Sequence, residues 1–507
     1  MKIDITNWFG GLSFSDRIGK EGSYFIGKSV NLLNPSHYGY MCPGPESVLI
    51  TNTISECWGR GMIDENRKKA YFGDTHGRIS EIDITTNKAT FGTIFPHTIT
   101  ATGTHVGHAG PFKIHDQTFY SFSSSSISHF YYSWSDGTDG DIGKFKMTDN
   151  TFDDDFMSAY ATPPISWYDL PHPMLVWGDN NMLYVADGPK LHQWDGINKA
   201  YTKNKFSLLD NYFIYALFDA GEFIGICTKV MSSFTAYPNY NNIFTGLSKV
   251  FFWDGVSSSF NRQIPIDDPM IRAAFNLNNE LLIFTADHNK KGVIKSFDGN
   301  RFNTVQVIEN NVPTETSGKY PTSWGSVNLF RNSLLIGEKN HGNLFLYGSP
   351  ETGIPKSLSN PISFTTTSTQ IGAPVVGESG MIYFNAWNGS VGSLRRADIA
   401  GTDSKRMLYK SLYYEFPQRA RINYVKLYFK ILTSGQGDDI LLDLDYGKET
   451  VHIGNISFAG DGAITSKRLG VNKNCDNFRG ITQPDEGAGI KYGRIEIDFD
   501  LLESDLI

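Results

Sequence analysis

The richest cluster of oxygen-bearing side chains in the sequence is Ser133-Trp-Ser-Asp-Gly-Thr-Asp-Gly-Asp-Ile142. Its three aspartates, Asp136, Asp139 and Asp141, are candidate calcium ligands, because this cation prefers carboxylate oxygens. Their spacing misses the alternating ligand positions of an EF-hand loop, and no glutamate closes the loop at the required place. The cluster also lacks the spacing of a sialidase Asp-box. We therefore interpret it as a tight hairpin turn, with a calcium site as the alternative.

A second candidate for metal chemistry is a group of histidines in a segment rich in Gly and Thr: His97, His105, His108 and His115. His105 and His108 have the spacing of two metal ligands, but the sequence indicates no third ligand. Catalysis by a nucleophilic serine would require a strained turn of the Gly-x-Ser-x-Gly type, and the sequence lacks that motif. We predict no catalytic, cofactor-binding or metal-binding residues, and hence a protein that is not an enzyme.

The segment around Gly27 matches the letters of a phosphate-binding loop. Gly22 and Gly27-Lys28-Ser29 fit the pattern Gly-x-x-x-x-Gly-Lys-Ser, which requires a strand before it and a helix after it. The residues that follow are too few for that helix, and Pro35 would end it. The pattern therefore predicts an extended segment and not a nucleotide site.

Composition and charge argue against several classes of protein. The 507 residues carry 45 basic and 53 acidic side chains, a net charge of -8, whereas affinity for nucleic acid depends on Lys and Arg contacts. The N-terminal residues lack the pattern of a secretion signal, and no run of about 20 apolar residues could cross a bilayer. The cysteines are too scattered for a disulfide framework or a zinc site, which indicates structural thiols: Cys42, Cys57, Cys227 and Cys475.

Short apolar runs separated by turn residues recur along most of the chain. The stretch from Pro173 to Gly196 contains three such runs, separated by Asp179-Asn180-Asn181 and Asp187-Gly188-Pro189, which is typical of an antiparallel meander. Similar units recur at intervals of 40–60 residues. That period is typical of a β-propeller with one four-stranded blade per repeat. An aromatic or apolar residue stands before the closing turn of each unit: Ile82, Trp134, Trp194, Trp253, Phe297, Tyr347 and Trp387.

The sequence therefore predicts an all-β protein in three parts. Residues 1–45 are rich in Gly and Pro and are expected to form an extended N-terminal arm. Residues 46–407 are expected to form a β-propeller of about seven blades, with six or eight blades as alternatives. Residues 408–507 contain longer alternating strands, which are typical of a β-sandwich, here of jelly-roll type. A solenoid or a set of repeated sandwiches is the alternative architecture for the repeats.

The turn residues and the aromatic residues have structural interpretations that compete with chemical ones. Asp and Asn at turns usually bond their own backbone and do not act as acids or bases. Carboxylates for glycoside hydrolysis cannot be assigned from spacing, because a propeller would gather them from several blades. In endings such as Trp194-Asp195-Gly196 we expect the aromatic residue to pack between blades while Asp-Gly makes the turn. Sugar stacking by the aromatic side chains is the alternative.

Three motifs in the arm stand in a fixed order: Asn7-Trp-Phe-Gly-Gly-Leu12, Gly27-Lys-Ser-Val-Asn31 and Tyr40-Met-Cys-Pro-Gly-Pro45. In this order, and ahead of a propeller, they resemble the start of structural tail proteins of tailed bacteriophages, in particular the nozzle protein of short-tailed phages. The resemblance covers the arm and, in architecture only, the repeats. It implies a virion component without an enzymatic site, assembled as a ring around the path of the DNA.

The resemblance also implies partners and a location. The partners would be copies of the same chain in a ring, other tail or connector proteins, and DNA that passes without sequence-specific binding, with no membrane insertion. A ring requires heterologous interfaces, and the arm is a candidate for reaching across to the next subunit. The location would be the virion tail, assembled in the host cytoplasm. The alternatives are a glycan-binding or glycan-cleaving propeller, such as a phage receptor-binding protein, and a cytoplasmic scaffold.

Overall fold

The computed structural model is built almost entirely of β-strands. Its strands are numbered β1 to β40 in chain order, and a 3-10 turn lies at Asp445–Gly447. None of the helical structure in the described part is long and apolar enough to cross a membrane. The structure describes residues 1–5, 11–12, 23–28, 30–32, 42–45, 47–54, 61–64, 67–73, 79–86, 88–90, 108–109, 113–116, 128–135, 140–146, 151–153, 172–178, 182–195, 198, 200–230, 247–289, 291–308, 327–338, 342–349, 356–364, 369–377, 380–388, 390–399, 408–433, 438–456, 464–484 and 489–502.

Six strands precede the repeats in the described part of the chain, and most of them are short. Gly and Pro limit their length, because Pro cannot donate to a ladder and Gly weakens one. They are β1 (Lys2–Ile5), β2 (Gly11–Leu12), β3 (Ser23–Lys28), β4 (Val30–Asn31), β5 (Cys42–Pro43) and β6 (Val48–Ile54).

Antiparallel sheets of the predicted repeats follow one another along the chain, and each sheet is one blade. Blade 1 contains β7 (Met62–Asp64), β8 (Lys69–Gly73), β9 (Ile79–Asp83) and β10 (Lys88–Thr90); blade 2 contains β11 (His108–Ala109), β12 (Lys113–Asp116), β13 (Ser128–Ser135), β14 (Gly140–Lys146) and β15 (Thr151–Asp153); blade 3 contains β16 (Met174–Trp177), β17 (Met182–Asp187), β18 (Lys190–Asp195) and β19 (Ala200–Ser207).

Four further blades complete the set. Blade 4 contains β20 (Tyr212–Asp219), β21 (Ile224–Val230), β22 (Ser248–Trp253) and β23 (Arg262–Ile266); blade 5 contains β24 (Met270–Leu277), β25 (Glu280–Ala286), β26 (Gly292–Phe297) and β27 (Phe302–Ile308); blade 6 contains β28 (Val327–Phe330), β29 (Ser333–Gly337), β30 (Asn343–Gly348) and β31 (Ser357–Ser363); blade 7 contains β32 (Gln370–Val376), β33 (Met381–Trp387) and β34 (Gly392–Asp398).

The blades form a closed ring. In blade 2, β11 and β12 pair with the same edge of β13 and together take the place of a first strand. From blade 2 through blade 7, the strand in this place contacts the first strand of the next blade, beginning with β12 and β16, and β32 of blade 7 contacts β7 of blade 1. The first strands are therefore innermost. Blade 7 obtains its outermost strand from the other end of the repeats, because β6 pairs antiparallel with β34. The predicted all-β propeller is confirmed, with seven blades in the part of the chain that the structure describes.

Apolar side chains fill the interfaces between successive blades. Buried clusters join blades 2 and 3, 3 and 4, 4 and 5, 5 and 6, and 6 and 7, and another joins blade 7 to blade 1. Between blades 1 and 2, the rings of Tyr71 and Phe145 meet edge to face at 5.8 Å between centroids. Each large apolar side chain contributes about 1.5–3 kcal/mol on full burial, so these interfaces are the main force that holds the blades together.

The seven residues that precede a closing turn in the sequence, here called the marker residues, do not all occupy the same strand of a blade. Ile82, Trp194, Trp253, Phe297 and Tyr347 lie on third strands, as the repeat predicts. Trp134 and Trp387 instead lie on the second strands β13 and β33. After Trp387, the Asn388 side chain accepts the backbone N–H groups of Ser390 and Val391, so turns of this kind also follow a second strand. Part of the irregular spacing between the markers therefore comes from this mixture of positions.

The C-terminal strands form a separate sheet that folds into two layers. Strand β39 pairs with β36 from Ile464 to Phe478 and with β37 from Phe478 to Pro484, so it runs through both layers. Apolar side chains of β36 and β40, such as Leu427 and Ile497, face those of β37 and β39, such as Leu442 and Phe478. The strands are β35 (Leu408–Ser411), β36 (Tyr414–Thr433), β37 (Asp438–Leu444), β38 (Glu449–Ile456), β39 (Ile464–Pro484) and β40 (Gly489–Leu501).

The described arm strands pair with other parts of the same chain. Strand β1 adds to the C-terminal sheet beside β40, β3 pairs with β35, and β2 pairs parallel with β3. Strands β4 and β5 extend blade 6 beyond β31. Strands β2 to β5 therefore lie between the propeller and the C-terminal sheet of their own chain. The reach of the arm to a neighbouring subunit stays a prediction.

Gly44 tests the packing of the arm against blade 6. A Cβ atom at this position would lie well inside contact distance of the Pro361 carbonyl oxygen of β31. The variant Gly44→Ala must therefore shift a backbone, and such overpacking typically costs about 1–3 kcal/mol. Urea denaturation should show this loss. The control is Gly470→Ala in β39, where a Cβ atom meets nothing within 4 Å. Equal stability of the two variants would contradict the contact.

Candidate functional site

The carboxylates at the turns between third and fourth strands accept hydrogen bonds from their own loops. Asp254 accepts bonds from the hydroxyl and the backbone N–H of Ser257 at 2.5 and 2.7 Å. Asp298 accepts N–H bonds from Arg301 and Asn300 at 2.9 and 2.8 Å. These donors favour the ionised form, so the pKa of Asp254 lies far below its usual range and that of Asp298 falls to about 2. Such carboxylates are poor acids or bases near neutral pH.

The residues that follow these carboxylates explain the recurring Asp-Gly pairs. Gly255 and Gly299 have φ angles of 79° and 96°, a region that residues with a side chain rarely adopt. The interpretation of the turn residues as backbone-bonding groups is confirmed. The same bonding recurs at Asp83, Asp195 and Asn388.

The aromatic residues of the repeat endings pack between blades. Trp194 is buried, and its Nε1–H donates to the Tyr131 hydroxyl of blade 2 at 3.2 Å. Trp253 is also buried and stacks on Phe206 of blade 3, with centroids 4.8 Å apart. The expected packing between blades is confirmed at both positions. These two indole rings are consequently out of reach of a sugar.

Two thiols lie in apolar surroundings. Cys227 and Cys475 are free and buried. Burial raises the pKa of the Cys475 thiol to about 12 and moves that of Cys227 strongly in the same direction. Because the thiolate is the nucleophile, both residues are unreactive. The structural interpretation of these two thiols is confirmed, whereas Cys57 and the side chain of Cys42 lie outside the description.

The residues considered for metal and nucleotide chemistry fall mostly outside the described residues. This applies to His97, His105, Asp136, Asp139, Gly22 and Ser29, and to the side chains of His108, His115 and Asp141. Strands β13 and β14 pair with Ser135 opposite Gly140, so the predicted hairpin around the aspartates is present. Among the residues that can be described, no group of three His, Cys, Asp or Glu side chains could hold a metal ion.

The structure shows buried polar clusters that the sequence did not predict, and the first is in blade 3. His172, Asp187 and His192 are each at most 2% exposed. His172 Nδ1–H donates to the Ala186 carbonyl oxygen at 3.0 Å, and Nδ1 lies 3.6 Å from Asp187 Oδ1. The Nδ1 atom of His192 accepts the backbone N–H of Asn204 at 3.2 Å, which places its proton on Nε2, 3.8 Å from Asp187 Oδ2.

A corresponding cluster lies in blade 5. Asp268 accepts a hydrogen bond from the Thr285 hydroxyl and pairs with Lys295, whose Nζ lies 3.1 Å from Asp268 Oδ2. His172 and Asp268 occupy equivalent places, because each stands two residues before the first strand of its blade. The repeated triplets His172-Pro173-Met174 and Asp268-Pro269-Met270 are the sequence signal that could have identified both positions.

Blade 6 contributes a third buried carboxylate at the same face of the propeller. Glu338 follows the second strand β29 and is 2% exposed. Burial raises the pKa of Glu338 to about 8, although hydrogen bonds from Asn343 act in the opposite direction. The backbone of Glu338 also bonds to blade 7, since its carbonyl oxygen accepts the N–H of Ile371 at 2.9 Å. This residue therefore links two blades.

The three clusters lie at the same end of their blades. At this end the first strand of each blade begins and the second strand ends. All their charged groups are nearly inaccessible to solvent. Such groups can hold the connecting segments in place by hydrogen bonds, but a substrate cannot reach them in this conformation. We therefore interpret these clusters as structural supports of one propeller face.

The C-terminal sheet contains a narrow apolar cavity between its two layers. Ile5 of the arm lines it together with residues of both layers, including Leu427, Leu442 and Ile495. Phe478 also borders the cavity and stacks on Tyr414, with centroids 5.2 Å apart. No charged residue of the described part of the chain lines the cavity. We therefore interpret the cavity as a packing gap, which Ile5 of the arm helps to close.

The fold defines the class of the chain, a β-propeller protein with an added β domain. Two solved structures are similar to it: Raptor of Chaetomium thermophilum, at 12% identity and a TM-score of 0.45, and a Dos1 propeller, at 9% and 0.44. The similarity to Raptor covers 72% of this chain and 29% of that one; for the Dos1 propeller the shares are 70% and 94%. No protein-family model and no curated protein matches the sequence. These likenesses carry no argument about function.

The turn at Asp298 gives a pH-dependent prediction. Its pKa is depressed in the folded state, so the ionised carboxylate stabilises the fold above the ordinary pKa of an aspartate, and this contribution is lost as the pH falls toward 2. Asp298→Ala should lower the melting temperature at pH 7, and the difference from wild type should shrink on acidification. Asp298→Asn keeps an acceptor and should have the smaller effect. An unchanged melting temperature of Asp298→Ala at pH 7 would show that the turn bonds contribute nothing.

Glu338 gives the opposite dependence on pH. Because its folded-state pKa is raised, the folded protein binds a proton that the unfolded chain releases, and stability declines as the pH rises from about 4.5 to about 8. Glu338→Gln should remove this part of the decline and make the protein more stable than wild type at pH 8. Urea midpoints at pH 5.5 and 8 measure it. Glu449→Gln, on an exposed ion pair with Lys473, serves as the control and should leave the slope unchanged.

Proposed function

We propose that the chain is a non-enzymatic structural subunit of a phage tail. In this proposal, copies of the chain form a ring, a nozzle or tail tip, around the path by which DNA leaves the particle. The observation that carries the proposal is the position of the three arm motifs. Their described parts are strands β2 to β5, which lie between blade 6 and the C-terminal sheet.

Arm strands that belong to each of the two folded parts, the propeller and the C-terminal sheet, contact the other part. Strands β2 and β3 belong to the C-terminal sheet but contact β31 of blade 6, whereas β5 belongs to blade 6 but contacts β40. The motifs that resemble phage tail proteins are therefore the segments that connect the propeller to its neighbouring domain. A tail component must keep its shape under load. The arm supports this because its successive strands β3 and β4 pair with β35 of the C-terminal sheet and with β31 of blade 6, respectively.

Charged side chains reinforce the junction at strand β1. Arg494 of β40 donates to both carboxylate oxygens of Asp4 at 2.9 Å and to Glu496 at 3.1 Å. Lys2 pairs with Glu496 at 3.1 Å. The bidentate geometry between Arg494 and Asp4 fixes orientation as well as charge. The first strand is therefore held to the last by side chains in addition to its ladder.

Polar links also fix neighbouring blades to one another. Trp177 Nε1–H donates to the Gly221 carbonyl oxygen at 3.2 Å, which joins blades 3 and 4. The Asn278 amide donates to Asn332 at 3.1 Å, which joins blades 5 and 6, and Asn328 donates to the Pro374 carbonyl oxygen at 2.9 Å, which joins blades 6 and 7. Together with the net charge of -8, which disfavours a grip on DNA, these links suit a rigid wall past which DNA slides.

The proposal predicts a closed ring of defined stoichiometry. Native mass spectrometry of the purified chain should show one discrete oligomer that persists on dilution, and negative-stain images should show a ring with a central opening. In virions of the phage that encodes the chain, mass spectrometry should detect it and immunogold should label the tail. A chain that stays monomeric at high concentration and is missing from particles would refute the proposal.

A pair of charge variants would locate the subunit contact. Val256 is 84% exposed on a turn between third and fourth strands, and Leu209 is 72% exposed on a connection at the opposite face of the propeller. Val256→Glu and Leu209→Glu place the same charge on the two faces and control for each other. Loss of the ring in one variant alone assigns the contact to that face; a ring in both assigns it to the sides or to the C-terminal sheet.

A further inference from the structure

Arg272 is a buried cation without a hydrogen-bond partner among the residues that the structure describes. The residue is 1% exposed, and within this part of the chain no acceptor lies within hydrogen-bond distance of Nε, Nη1 or Nη2. Two other buried cations show the usual arrangement. Arg479 donates to Asp443 through Nε and Nη2 at 3.2 and 2.8 Å, and Lys295 pairs with Asp268 at 3.1 Å. Arg272 therefore departs from the pattern that this same protein follows elsewhere.

The energetic cost of this arrangement is large. An ion that is moved out of water into a protein interior costs several kcal/mol unless opposite charge and hydrogen bonds offset the loss of hydration. A guanidinium group cannot avoid that cost by losing a proton in a protein. A buried guanidinium with five unused N–H donors consequently requires an acceptor that is supplied from outside the described residues.

A β-bulge places Arg272 on the innermost strand of blade 5. Ile271 pairs with Thr285, but Ala273 pairs with Phe284, so Arg272 is the extra residue of strand β24. Ile271 packs into the cluster between blades 4 and 5, and Ala273 packs into the cluster that includes blades 5 and 6. Residues two apart in a regular strand share a face, so the extra residue Arg272 explains why Ile271 and Ala273 pack into different interfaces.

Blade 4 has the same bulge at the corresponding position. In strand β20, Ile214 pairs with Thr228 and Ala216 pairs with Cys227, which makes Tyr215 the extra residue. Strands β20 and β24 are neighbours in the inner ring. The repeated bulge therefore puts a phenol and a guanidinium, both hydrogen-bond donors, at equivalent places on adjacent inner strands.

We propose that Arg272 binds a small oxyanion at the inner edge of blade 5. The planar fork of the guanidinium matches two oxygens of a phosphate or a carboxylate, and charge-assisted bonds of this kind are strong where water is excluded. The bulge gives the donor its position, and the ligand gives the missing acceptor. This inference concerns the isolated subunit and does not depend on the tail proposal.

The test measures stability against anion concentration. Thermal midpoints of the full chain are recorded with inorganic phosphate, and separately with acetate, at an ionic strength held constant with sodium chloride. Wild type should show a saturable rise, because a ligand that binds only the folded state stabilises it. The probe that acts at the lower concentration identifies the oxyanion. Arg272→Lys keeps the charge without the fork and should weaken the apparent affinity by at least about tenfold.

The variant Arg272→Met separates a ligand site from an internal ion pair. If an external anion is the partner, the variant should be at least as stable as anion-free wild type, because it removes an uncompensated charge, and it should not respond to phosphate or acetate. Arg479→Met breaks the pair with Asp443 and should be destabilised while it keeps the response of wild type. Destabilisation of Arg272→Met without anion would overturn the proposal in favour of an internal partner. An equal anion response in both variants, or no response in wild type, would overturn it as well.

Discussion

A ring of sheets stays closed only if its two ends are joined, and the joint here is the pairing of β6 with β34. Without it, blade 7 would end at its third strand and expose a row of unpaired backbone groups. Side chains strengthen the joint, because Arg395 of β34 donates to the carbonyl oxygen and the hydroxyl of Ser47. A hydrogen bond contributes only about 0.5–1.5 kcal/mol net, so the ladder sets the register and the apolar interfaces supply most of the stability.

The propeller could be predicted because its repeats leave a strong mark in the sequence. Apolar runs of strand length, separated by Asp-Gly and Asn-Gly pairs, are local features, and their chemistry fixes the hairpins. The arm could not be predicted in the same way. Short strands such as Ser23–Lys28 and Val30–Asn31 carry no clear periodicity, and they pair with β35 and β31, which lie hundreds of residues away. Pairing at such a distance is decided by tertiary packing.

The same division holds for the polar residues. Asp254 and Asp298 could be interpreted from the sequence, because their acceptor groups are satisfied within the following few residues. The buried clusters were missed because burial depends on contacts between strands, although the repeated Pro-Met pair after His172 and Asp268 marks equivalent positions. The burial of Arg272 could not be predicted from the sequence for a further reason. Only a bulge, which adds one residue to a strand, removes it from the alternation that a sequence pattern assumes.

The pairing of Lys2–Ile5 with residues of β40 has a consequence for how the protein is made. The ribosome adds about 5–20 residues per second, so β1 waits roughly 25–100 s for its partner to be synthesised. During that time β1 and β6 leave the ribosome without the strands that cover them, and an unpaired strand can bind to another chain. The nascent chain is therefore exposed to aggregation until β34 and β40 have been synthesised and complete blade 7 and the C-terminal sheet.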